Sequence, residues 1–146
     1  MQTPISIRQS QISLSEVLQY ITQHKDMPAR IEALRQNDTK AMRQFCLLAF
    51  GPDQFESLRK GGYEPSYQCR LENVGVSTES FHSVVQALTR AASPAISPLA
   101  RRDTINDLLD WLNTKEVEVI LSLVRGKVAI PGFTEVLVRT AFPELL

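Results

Sequence analysis

The stretch Leu99-Ala100-Arg101-Arg102-Asp103-Thr104-Ile105-Asn106-Asp107-Leu108-Leu109-Asp110-Trp111-Leu112-Asn113-Thr114 decides how this chain is read. Ile105, Leu108, Leu109 and Leu112 fall at helical spacing, and Thr114 stands where a second helix needs a cap. That second helix carries Val117, Ile120, Leu121 and Val124 inward until Gly126 stops it. Val128-Ala129-Ile130-Pro131-Gly132 forms an extended elbow. A last helix, 133–142, places Val136, Leu137 and Ala141 inward. Three compact helices back to back, closed by the apolar tail Phe142-Pro143-Glu144-Leu145-Leu146, leave no room for a long sheet.

Working towards the start, Thr78 caps a helix whose stripe is Phe81, Val84, Val85 and Leu88, ended by Ala91-Ala92-Ser93-Pro94. The region 60–77 is irregular, because Gly61-Gly62, Pro65 and Gly75 forbid a continuous helix. Upstream lie a short turn around Phe55 and Leu58, then a helix capped by Asp38 that runs through Met42, Phe45 and Cys46 to Gly51-Pro52. Pro28 opens a short helix that breaks at Asn37, and Ser13 or Ser15 caps the first one, with Leu14, Val17, Leu18 and Ile21 on one face. Residues 1–12 read as an extended arm: Pro4 sets an extended start and Ile5 and Ile7 alternate. Such an arm either adds to a neighbour's sheet edge or folds back on its own domain. The expectation is an all-α chain: an arm over 1–12 and one irregular domain over 13–146, with six to seven short helices and one long Gly/Pro/Tyr loop.

Composition narrows the function. At 146 residues the chain is one domain's worth. Its 16 basic and 16 acidic side chains cancel overall. They also balance in each half, nine against eight through Asn73 and seven against eight after it. No whole-chain footprint for a nucleic-acid backbone results, so nucleic acid is not expected as a direct ligand. No apolar run approaches the ~20 residues of a membrane span, and the start has no apolar signal core. Two cysteines, Cys46 and Cys69, are too few for a disulfide scaffold and suit a reducing compartment.

Catalytic constellations are not evident. His24 and His82 have no Cys, His or acidic neighbours at metal-ligand spacing, so no metal and no cofactor is expected. Gly61-Gly62 is followed by Tyr63-Glu64-Pro65, without the lysine and helix start of a phosphate loop. Asp103, Asp107 and Asp110 line one side of a helix and read as a solvated face. Trp111 reads as a core-edge residue.

The interaction candidates are three. Tyr63 and Tyr67 supply contact area on the glycine-proline loop, or else pack down to pin it. Arg101 and Arg102 form a basic pair at a helix start, where positive charge is unfavourable. A compensating contact is therefore expected, either from the acidic residues one turn on or from an external anion or partner. Ile5 and Ile7 are the apolar contacts of the arm.

The order of these pieces resembles an uncharacterised family of small all-helical proteins encoded by large tailed bacteriophages. The likeness rests on Leu34-Arg35-Gln36-Asn37-Asp38-Thr39-Lys40-Ala41-Met42-Arg43, Ala49-Phe50-Gly51-Pro52 and the tyrosine-proline loop. It rests most on Leu99-Ala100-Arg101-Arg102-Asp103-Thr104-Ile105, then on Gly126-Lys127 and on the ending from Thr134 to Pro143. Here Gly51 replaces a usually acidic residue and Glu64-Pro65-Ser66-Tyr67 a Pro-Pro-Tyr type loop. The resemblance implies a phage setting and brings no catalytic or ligand residue with it. The expectation is a non-enzymatic phage accessory protein, an interaction module for host or phage replication or transcription machinery in the infected cell. The alternative is a virion component, capsid- or tail-associated, docked through its arm or assembled as a homo-oligomer.

Overall fold

The computed structural model describes residues 7–9, 11–63 and 79–146. Within them the chain forms helices alone, eight rather than the six to seven expected: α1 (Leu14–Thr22), α2 (Met27–Gln36), α3 (Lys40–Phe50), α4 (Glu56–Lys60), α5 (Phe81–Ala92), α6 (Pro98–Leu109), α7 (Thr114–Val124) and α8 (Glu135–Ala141). The eighth is the short α4, which closes a single turn and buries Leu58.

Six of the eight starts are held by a capping side chain. In α1 the Ser13 hydroxyl accepts from the Glu16 N–H while the Glu16 carboxylate accepts from the Ser13 N–H, a reciprocal box that satisfies two otherwise free donors. Thr39, Ser80, Ser97, Asn113 and Thr134 cap α3, α5, α6, α7 and α8 with side-chain oxygens. Three of these correct the sequence reading: Thr39 caps where Asp38 was expected, Asn113 instead of Thr114, and Ser80 instead of Thr78. Asp38 is instead bonded to the Arg43 guanidinium at 2.7 and 2.8 Å, and Thr114 becomes the first helical residue of α7.

Packing follows the apolar stripes. α5 lies against α6 and α3, α8 covers α2, and α1 touches α2, α5 and α7. At the centre, the Phe45 ring meets Phe81 at 5.7 Å and Phe133 at 5.8 Å between centroids, and Phe133 stacks on Phe50 at 6.1 Å. Each such pair adds about 0.5–1.5 kcal/mol beyond its buried area. In α8 the inward stripe is Leu137, Val138 and Ala141, and Val136 is exposed. The expected inward Val136 fails because the buried stripe centres on Leu137, Val138 and Ala141, and at ~100° per residue position 136 falls off that stripe.

The closing tail is fastened by two arginines. Arg35 donates to the carbonyls of Thr140 (3.0 Å) and Ala141 (3.3 Å), acceptors that the end of α8 leaves free. Arg43 bonds Glu144 at 2.9 Å and lies over the Phe142 ring at 4.9 Å. Leu145 and Leu146 pack half-buried on the core.

Candidate functional site

Of the basic pair at the start of α6, Arg101 turns inward. Only 7% of it is exposed. Its guanidinium donates to the Ala91 carbonyl (2.8 Å), the Ser57 hydroxyl (2.9 Å) and the Gln54 carbonyl (2.9 Å). Asp103 and Asp107, the acidic residues one turn on, are not its partners. Compensation comes from a different source: Ala91 lies in the last turn of α5, whose free carbonyls form the negative end of that helix. A cation that the α6 start disfavours is thus placed at the end of α5 that favours it. Arg101 thereby clamps α4, α5 and α6 together.

Arg102 closes a smaller assembly. Its guanidinium sits 5.5 Å from the Tyr63 ring centroid and donates to the Gly61 carbonyl at 3.2 Å. The buried Tyr63 in turn donates its hydroxyl to Asn106 Oδ1 at 2.8 Å. Burial raises the Tyr63 hydroxyl above the ordinary tyrosine pKa, against the pull of the Arg102 charge. Tyr63 thus pins the start of the loop to α6. Tyr67, Ile5 and Cys69 lie outside the described residues.

The described part of the arm lies on its own domain. The Ile7 N–H donates to Asn37 Oδ1 at 2.7 Å, and Gln9 Nε2 donates to the Asn37 carbonyl at 2.7 Å. Thr39 Oγ1 donates to Gln9 Oε1 at 2.6 Å, and the Phe81 N–H reaches the Ile12 carbonyl at 2.7 Å. Ile7 and Ile12 pack against the core. Buried Asn37 therefore does more than break α2: it is the post to which the arm is tied, and only its turn-forming character was readable beforehand.

What faces outward is the other side of α6. Leu99 at its start is 68% exposed, and Trp111 just past its end is 58% exposed, against the expectation of a core edge. The helix stops at Leu109, and the tightened turn that follows (Asp110 N–H to Asp107 carbonyl, Trp111 N–H to Leu108 carbonyl) brings Leu112 inside and leaves Trp111 out. Asp103, Asp107 and Asp110 stand exposed between these two apolar side chains. Beside them runs a groove of about 430 Å³ between α5 and α6. Ala87 and Leu108 supply its apolar surface, and Asp103, Asp107 and Glu79 line it against a single cation among the described residues, Arg90. Trp111 also lines it.

Other chemistry is sparse. Burial pushes the Cys46 thiol up to about 12, the reverse of what a thiolate nucleophile needs. Among the described residues no three His, Cys, Asp or Glu side chains gather to hold a metal, and no helix is long and apolar enough to cross a membrane. No protein-family model, no curated protein and no solved structure matches this chain.

Proposed function

We propose that this chain is a non-enzymatic bacteriophage accessory protein, a protein-interaction module acting in the infected cell on host or phage replication or transcription machinery. The phage setting rests on the resemblance carried by the α6 and α8 segments. The module reading rests on one observation: α6 presents Leu99 and Trp111 to solvent with three carboxylates between them, beside an acidic groove. Large exposed apolar side chains ringed by charge are the usual make-up of a contact surface, and aromatic residues dominate binding energy at such surfaces. The charge balance of the groove selects a partner segment that carries lysine or arginine around an apolar anchor. The inward fastening of Ile7 and Gln9 weighs against the arm-docked virion alternative.

The test is a tagged pull-down from infected cells, with the wild-type chain beside D103K/D107K and W111E. The wild type is expected to retain a partner that both variants lose while their helical circular-dichroism signal stays unchanged. Equal recovery by all three, or the chain in many copies in purified particles, would refute the assignment.

A further inference from the structure

A second and larger cleft, of about 610 Å³, runs between α3 and α5, within the range of small-molecule sites. Lys40 and Gln44 line it from α3, and His82, Gln86, Thr89 and Arg90 from α5. Ser93 and Ile96 complete one end. Apart from Ala41 and Ile96 every lining side chain among the described residues is polar, and none of these is a carboxylate. Lys40 and Arg90 form no ion pair among the described residues. The described lining of the cleft is therefore electropositive, with Lys40 at one side and Arg90, which also borders the acidic α5–α6 groove, at the other.

The α5 wall holds a further anomaly. Thr22, Thr104 and Thr140 all sit within helices and each donates its hydroxyl to the carbonyl one turn back at 2.8 Å. This is the ordinary refuge of a helical threonine. Thr89 does not take it: its Oγ1 is sealed from solvent and has no hydrogen-bond partner. Nε2 of His82, two turns earlier on the same face, is also sealed and unpartnered. Two orphaned polar atoms on one cleft wall are costly in a protein that satisfies its other helical threonines, and rotation about a single χ angle is enough to offer the Thr89 hydroxyl to a bound molecule.

We propose that the α3–α5 cleft binds a small phosphate monoester with a hydrogen-bonding body, the chemistry shared by nucleoside monophosphates and sugar phosphates. A phosphate monoester carries roughly −1.5 to −2 charge near neutral pH, which suits the two cations, Lys40 and Arg90, that line the cleft. The Gln44 and Gln86 amides and the Ser93 and Thr89 hydroxyls suit the body, with Ile96 and Ala41 as its apolar contacts. The assignment shares Arg90 with the α5–α6 groove and is otherwise independent of the α6 surface.

Calorimetric titration and thermal melting with adenosine 5′-monophosphate, glucose 6-phosphate, inorganic phosphate and adenosine test it. At least one of the two esters is expected to bind and raise the melting temperature, and the tighter of them names the source. Adenosine alone is expected not to bind. K40E/R90E changes two exposed side chains, puts a favourable acid at the α3 start, and is expected to weaken the ester at least tenfold. Thr89→Val is expected to weaken it about three- to tenfold, the value of a hydrogen bond to a neutral polar group. Its ligand-free melting temperature is expected to hold or rise, because the hydroxyl has no partner to lose. The proposal is overturned if neither ester binds at millimolar concentration, if adenosine or inorganic phosphate binds as tightly as the esters, or if binding ignores K40E/R90E.

Discussion

Arg101→Ala is the sharpest test of how this fold holds together. The side chain makes three hydrogen bonds, to Ala91, Ser57 and Gln54, all shielded from water to some degree. A bond from a charged donor contributes about 1.5 kcal/mol at the low end, so three contribute roughly 4–5 kcal/mol. Against this, alanine removes a desolvated cation with no carboxylate partner among the described residues and relieves positive charge at a helix start, which recovers about 1–2 kcal/mol. The expected loss is therefore about 3 kcal/mol. For a chain of this length that lowers the melting temperature by roughly 10 °C. Urea unfolding followed by circular dichroism measures the free energy, and a thermal scan measures the temperature. Arg101→Lys keeps the charge but cannot fork to three acceptors, so about half the loss is expected to remain. Arg102→Ala, which removes a more exposed side chain, is expected to cost under about 1 kcal/mol. Should Arg101→Ala cost less than about 1 kcal/mol, or should Arg102→Ala cost as much, the clamp is refuted.

Other expectations follow from the same contacts. Tyr63→Phe is expected to cost about 1 kcal/mol, and a double-mutant cycle with Asn106→Ala should give a coupling of similar size if the 2.8 Å bond carries it; additive losses would show that it does not. Cys46 should resist a thiol reagent in the native protein and react at once in urea; fast native labelling would contradict its burial. Because its thiol ionises near 12 when folded and near 9 when unfolded, only the unfolded chain loses a proton between those values, so stability should fall as pH rises above about 9, and Cys46→Ala should remove that part of the dependence. The Asp38, Asp53 and Glu144 carboxyls are held below their ordinary pKa values, Asp38 and Asp53 foremost by hydrogen bonds from Arg43 and Arg59 and Glu144 by a backbone hydrogen bond and Arg43. Their contribution should be complete at neutral pH and lost as pH falls below about 4, a loss that acid titration of the melting temperature would register in the wild type and in reduced form in Arg43→Ala.

Amphipathic period made much of the fold legible. Leu14, Val17, Leu18 and Ile21, or Phe81, Val84, Val85 and Leu88, announce a buried stripe because they need only a helix to align them, and all eight are buried. Caps were legible only to within a residue or two. Asp38-Thr39, Asn113-Thr114 and Thr78-Glu79-Ser80 each offer neighbouring capping side chains, and the choice depends on which oxygen reaches a free N–H after the helix has docked. Arg101 was out of reach for another reason. Its acceptors lie 10, 44 and 47 residues away, and no local pattern encodes them. The α3–α5 cleft was equally invisible, since Lys40 and Arg90 are ordinary surface residues until packing brings them to one cavity.

The clamp and the proposed contact surface are two consequences of one rotation. At ~100° per residue, an α6 that turns Arg101, Ile105, Leu108 and Leu109 inward must turn Leu99, Asp103, Asp107 and Asp110 to the opposite side. A leucine in place of Arg101 would make α6 an ordinary amphipathic helix, but it would leave the Ala91 carbonyl at the end of α5 without this donor and the α4 turn without its tie. The inward arginine thus acts with Ile105, Leu108 and Leu109 to set which way α6 faces, and the exposed Leu99 and Trp111 stand at the ends of the outward face that results. In α6 the orientation is specified by polar bonds from Arg101 together with the apolar contact of Ile105, Leu108 and Leu109.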